Sequence, residues 1–190
     1  MIERVVIVHG HASDPARYWF ESLKRYLISL DCTEVLIPKM PHPNLPSIRL
    51  WKKKLFSVLD DRFEQAVIIG HSFGGISAFR LAEVLPADRK LGAIIAVASP
   101  VKRVWNPLFP ARILFREPKW KLVRLKTKKI SLIYSTDDWI CPHSNALYLQ
   151  SKLSCELLSL DNYHHICCSH LPNQAKIFIA QTIGLSKPSE

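Results

Sequence analysis

Short runs of consecutive apolar residues alternate along the chain with stretches whose apolar positions recur every three or four residues. Val5-Val6-Ile7-Val8, closed by His9-Gly10, is a continuous β-branched run and reads as a strand buried on both faces. Trp19, Leu23, Tyr26, Leu27 and Leu30 then mark one stripe of a helix. Glu34-Val35-Leu36-Ile37 predicts a second strand, stopped by Pro38, and Pro41, Pro43 and Pro46 stiffen the loop beyond it. Ser47 is placed to cap a helix carrying Leu50, Trp51, Leu55, Phe56 and Leu59. Ala66-Val67-Ile68-Ile69 predicts a third strand, a helical pattern from about Ser72 to Leu85 follows at once, and Ala93 to Ala98 is a fourth strand. Residues 100–129 read as irregular, proline-bearing and basic. Ile130 to Tyr134 predicts a fifth strand, Ser144 to Leu153 a helix, Glu156 to Leu160 a sixth strand, and Ala175 to Ile183 a closing helix. Apolar strands separated by helices imply an α/β fold, a mainly parallel sheet covered on both faces. In such sheets functional residues gather just past the carboxyl ends of the strands.

Composition narrows the class. A chain of 190 residues, 48% apolar and 22% charged, is expected to form a single domain over 1–190 with a substantial core, which excludes wholesale disorder. Cys32, Cys141, Cys155, Cys167 and Cys168 are odd in number and irregularly spaced, without a CxxC pair, so neither a disulfide framework nor a zinc site is expected. That usage fits a reducing cytoplasm. Glu3 and Arg4 before a short apolar run are not a signal peptide, and no apolar stretch approaches the ~18 residues of a membrane span.

The chemistry concentrates at three strand exits. Gly70-His71-Ser72-Phe73-Gly74-Gly75 follows the third strand and opens a helix, the context that a nucleophile elbow requires. A serine in so sharp a turn needs neighbours two positions away without bulk, so that strand and helix can approach. The hydroxyl also needs a base, and the base needs an orienting acid. Asp137 and Asp138 follow the fifth strand, and His164 and His165 follow the sixth. The order Ser, acid, His is that of α/β-hydrolases; spacing alone leaves both pairs open. For an oxyanion, the N–H of Phe73 is one donor and the N–H of His11, in the loop after the first strand, is the expected second. His71, inside the elbow, reads as a packing or supporting residue.

Most of the chain resembles the compact α/β-hydrolase-fold serine hydrolases of the retinoblastoma-binding serine hydrolase type. The resemblance rests on the Val-His-Gly opening, Tyr18-Trp19, Pro38-Lys39-Met40-Pro41, Ile68-Ile69-Gly70-His71-Ser72 and Ser135-Thr136-Asp137-Asp138. It implies a three-layer α/β-hydrolase fold, with the nucleophile at Ser72, the acid at Asp138, four positions before Pro142, and the base at His164, six positions before His170. The sequence departs from the family in several places. Many relatives have glycine just before the histidine, where this register puts Tyr163; Tyr134 stands where a small residue is usual, Trp139 where proline is common, and His165 where an aromatic or apolar residue is frequent.

The net charge of +10 is local. Residues 101–130 hold ten lysines and arginines, from Lys102 and Arg103 to Lys128 and Lys129, against Glu117 alone, with Trp105, Phe109, Phe115 and Trp120 interleaved. The stretch lies where this fold usually carries a lid, so a basic lid-like insertion over about 100–129 is expected, beside the site mouth and attracting anionic substrate. A merely solvated basic face is the other reading of such a charge run, and Arg116-Glu117-Pro118-Lys119-Trp120 resembles a scaffold stretch of the same family. No zinc finger, RRM or helix-turn-helix signature supports nucleic-acid readout. The expected function is hydrolysis of small esters or amides through an acyl-enzyme, without metal or organic cofactor. The alternative is a non-catalytic protein of the same fold that engages an acidic partner through the basic segment.

Overall fold

A computed structural model describes residues 2–100 and 116–185. Six strands, β1 (Arg4–Val8), β2 (Glu34–Leu36), β3 (Ala66–His71), β4 (Leu91–Val97), β5 (Thr127–Ser135) and β6 (Glu156–Leu160), form one sheet in the order β2-β1-β3-β4-β5-β6. Every pairing is parallel. Six helices are described: α1 (Phe20–Ile28), α2 (Ile48–Leu59), α3 (Phe73–Ala82), α4 (Trp120–Leu125), α5 (His143–Leu153) and α6 (Asn173–Ile183).

The strand order dictates the layers. A crossover between parallel strands is right-handed, so reversing the direction of travel along the sheet moves the helix to the other face. The chain steps one way from β1 to β2, then the other way for every later strand. Accordingly α1 packs on one face, with Phe20, Leu23 and Leu27 against Val5, Ile7, Val67 and Ile69, and α6 joins it through Ala175, Ile179 and Ile183. The opposite face takes α2, α3, α4 and α5, whose Trp51, Leu55, Phe79, Val123 and Leu149 meet Val6, Val8, Ile68, Ile94 and Leu132. Because side chains alternate between faces along a strand, consecutive residues of the fully buried β1, β3 and β4 feed the two cores in turn. This explains the unbroken apolar runs. The direction reverses between β1 and β3, and the loops leaving these two strands meet there.

Residues 120–129 are regular where an irregular stretch is expected. Trp120 and Val123 are buried, Trp120 edge-on to Phe79 with ring centroids 5.5 Å apart, while Lys121 and Arg124 face solvent. One apolar stripe therefore suffices to fold α4. Strand β5 starts three residues earlier than its apolar pattern, because β4 pairs with Thr127 through Leu91. Lys128 pairs with Glu64 (2.7 Å) and Lys129 with Glu156 (3.9 Å). Lys126 Nζ donates to the carbonyls of Pro86 (2.5 Å) and Ala87 (2.6 Å). These cations sit at the amino end of β5, the opposite end of the sheet from Ser72, and not at a site mouth. Lys102, Arg103, Arg112 and the rest of 101–115 lie outside the described residues.

Candidate active site

Ser72 lies between β3 and α3 with φ 50° and ψ −119°, a conformation that a non-glycine residue adopts only when its surroundings impose it. The surroundings are backbone. A Cβ on Gly70 would lie 2.4 Å from the Gly75 nitrogen, and one on Gly74 would lie 2.3 Å from the Val8 carbonyl oxygen. Only glycine at both positions lets α3 press onto β1 and β3, which is why the two flank the serine. Ser72 N–H donates to the Val97 carbonyl (2.8 Å), tying the turn to β4.

The second partner comes from the sheet edge. His165, in the loop after β6, places Nε2 3.0 Å from Ser72 Oγ, and its Nδ1 is 2.8 Å from Asp138 Oδ2. A carboxylate only accepts, so Nδ1 carries the proton and Nε2 is left to accept the Ser72 hydroxyl. Asp138 Oδ1 accepts the N–H groups of Ile140 and Cys141, both at 2.8 Å. The Asp138 side chain is fully buried and that of His165 is 11% exposed.

Of the residues expected from sequence, Ser72 and Asp138 are joined, and His164 is not the residue that joins them. Its side chain is 72% exposed, with Nδ1 2.6 Å from Asp137 Oδ2. The histidine that joins them, His165, is thus one residue later than the one expected. The reason is local: His164 has φ 49° and Ile166 φ 52°, so the backbone winds through the left-handed region and turns the second histidine of the pair inward. The shift also relocates the glycine common in the resembling family to position 164, where a positive φ favours it. His170 is likewise not drawn in; it is exposed, with Nδ1 3.0 Å from Ser169 Oγ.

The loop after β1 packs directly on the elbow, since a Cβ at Gly10 would sit 3.0 Å from Ser72 Cβ. Met40 N–H donates to His9 Nε2 (3.1 Å), so the His9 Nδ1–H donates to the Gly10 carbonyl (2.9 Å). Burial lowers the His9 pKa, which keeps that arrangement neutral. Ala12 N–H donates to Pro43 O (2.9 Å). His11 follows Gly10 on that loop, and Phe73 is the first residue of α3. His71 is the residue whose role the sequence understated. Its Nε2–H donates to the His165 carbonyl (2.9 Å) and its ring lies 5.0 Å from that of His165. Burial, then the neighbouring His165, depresses its pKa to about 3.

Asp138, Cys141 and His165 form a buried group whose donor atoms all lie within 4.8 Å of one another. The arrangement fits a hydrogen-bonded acid rather than a metal ligand set. Both carboxylate oxygens are engaged, and burial, reinforced by Asp138, holds the Cys141 thiol well above its ordinary pKa. All five cysteines are free thiols.

An all-parallel sheet with a strained serine between strand and helix, joined through histidine to aspartate, defines an α/β-hydrolase architecture. The family model for serine hydrolases matches residues 5–170, and the chain belongs to that family. It is 26% identical over 167 residues to YdeN of Bacillus subtilis (strain 168), covering 87% of this chain and 86% of that protein. It is also 26% identical over 165 residues to the serine hydrolase RBBP9 of Rattus norvegicus, covering 85% and 86%. The crystal structure of the B. subtilis ydeN product superposes with a TM-score of 0.86 at 24% identity, over 96% of this chain and 99% of the other. Among the described residues no helix is long and apolar enough to cross a membrane.

Proposed function

We propose that the protein hydrolyses small esters or amides through an acyl-enzyme formed on Ser72. The observation that carries this reading is the continuous chain from Ser72 Oγ through His165 to Asp138, at 3.0 and 2.8 Å. His165 Nε2 takes the hydroxyl proton as Ser72 attacks the carbonyl carbon, then gives it to the departing alcohol or amine. Asp138 holds the tautomer that leaves Nε2 free and stabilises the imidazolium while it lasts. The two N–H groups from Ile140 and Cys141 keep the Asp138 carboxylate turned toward His165. The amides of Phe73 and His11 receive the developing oxyanion. Water attacks the acyl-enzyme by the same proton path in reverse. Free thiols throughout fit a reducing cytoplasm as the place of action.

The test is active-site labelling. A fluorophosphonate should label the wild-type protein at one serine, and Ser72→Ala should abolish labelling. Ser77→Ala should label like the wild type, because the Ser77 hydroxyl is committed to the Phe73 carbonyl at 2.8 Å. Undiminished labelling of folded Ser72→Ala would remove Ser72 from the role.

A further inference from the structure

Two histidine–aspartate pairs stand side by side at the carboxyl end of β5 and β6. One, His165–Asp138, reaches Ser72. The other, His164–Asp137, points away from it and has no part in the chemistry just described. Its surroundings explain it. Four consecutive residues of the base loop are each held from a different place. Tyr163 N–H donates to Ser135 Oγ (3.0 Å). His164 meets Asp137 twice: its N–H donates to Oδ1 (3.0 Å), and its Nδ1 lies 2.6 Å from Oδ2. The His165 carbonyl accepts from His71, and the Ile166 carbonyl accepts from Trp19 Nε1 (2.9 Å). The loop needs such restraint, because Asn162, His164 and Ile166 all have φ between 49° and 63°. Asn tolerates that region most readily and His less so than glycine, whereas β-branched Ile is strained there. Asp137 is itself oriented, accepting the Ser135 hydroxyl at 2.5 Å. That hydrogen bond, ahead of the one from the His164 N–H, lowers its pKa and keeps it an acceptor.

We propose that the Asp137–His164 pair is a positioning latch, holding residue 164 in a left-handed conformation so that His165 stays within hydrogen-bonding reach of Ser72. The inference rests on the serine hydrolase reading above. The pair acts through His165 and touches no reacting atom. It substitutes for what glycine would supply at position 164: a residue that adopts φ 49° without strain needs no latch, and a histidine does.

The experiment follows p-nitrophenyl acetate turnover and fluorophosphonate labelling rate together. Asp137→Ala should lower kcat and the labelling rate in parallel, by about 10- to 100-fold, as expected when a catalytic group is displaced by about an ångström, with KM nearly unchanged. Adding His164→Gly in the Asp137→Ala background should recover most of both rates, although it removes still more side chain. A structural role without positioning would make the double variant no better than the single. Unchanged kcat in Asp137→Ala, or no recovery in the double variant, overturns the latch. If Asp137→Ala does not fold, His164→Ala against His164→Gly asks the same question: the latch requires alanine to be the slower of the two, and equal rates overturn it. A wild-type protein that neither labels nor turns over the ester would fail the serine hydrolase reading itself, and the latch with it.

Discussion

His165→Ala is expected to reduce ester turnover by about 10⁴-fold or more, and His164→Ala by far less. The reasoning is geometric and electronic. Without an acceptor at Nε2, Ser72 must attack as a neutral hydroxyl, and nothing protonates the leaving group. In serine hydrolases the nucleophile and base act as a unit, so removing the base costs nearly as much as removing the serine. A 10⁴-fold loss corresponds to about 5.5 kcal/mol of activation free energy. Asp138→Asn should be similarly severe, because an amide turned toward His165 favours the tautomer that places the proton on Nε2, where it opposes Ser72. Steady-state kinetics of the four purified variants, with Asp137→Asn as the fourth, separate the two dyads. A dead His164→Ala beside an active His165→Ala would reverse the assignment.

The protein should lose stability on mild acidification, and His71 should be the main cause. Its pKa falls from 6.5 to about 3 on folding, chiefly through burial. Above pH 6.5 neither the folded nor the unfolded state protonates it, and its contribution is fully present. As the pH falls below 6.5 the unfolded chain takes up a proton that the folded protein refuses. Stability then drops by about 1.4 kcal/mol per pH unit until the folded pKa is reached. Between pH 6.5 and 5.0 the loss from this group is about 2 kcal/mol, a large part of an ordinary domain's stability. His9, also lowered by burial, adds in the same direction. The carboxylates with lowered pKa, Asp137 and Glu64, contribute only at more acidic pH. Urea unfolding at pH 7.5 and 5.0 measures the effect. His71→Gln should be less stable at neutral pH but show a shallower dependence on pH, and an unchanged dependence would assign the acid sensitivity elsewhere.

The elements that sequence pattern makes legible are those buried on both sides or along one stripe. Strand β6, predicted at Glu156 to Leu160, is found there, and the apolar runs of β1, β3 and β4 leave little choice of structure. The elbow is legible because glycine at positions 70 and 74 is a steric demand that few other arrangements make. What stays hidden is what depends on non-periodic backbone. Two adjacent histidines look alike until the loop is traced, because the residue that faces Ser72 is set by left-handed turns at positions 162, 164 and 166. The Asp pair is equally open to spacing, and only the family resemblance, which implies an acid four positions before Pro142, favours Asp138. Helix α4 is only six residues long, without a side-chain cap, and is concealed among lysines, arginines and prolines.

The sheet order has a consequence for how activity is lost. Ser72 hangs from β3 in the interior of the sheet, whereas His165 hangs from β6, which among the described residues is an edge strand and is partly exposed along its length. Edge strands open more readily than central ones, in sub-global fluctuations far below the cost of complete unfolding. Ser72 and the histidine proposed to activate it therefore belong to regions of unequal local stability. On gentle heating, inactivation should precede the cooperative melt, with a reversible interval in which most of the sheet is intact and the serine has lost its base.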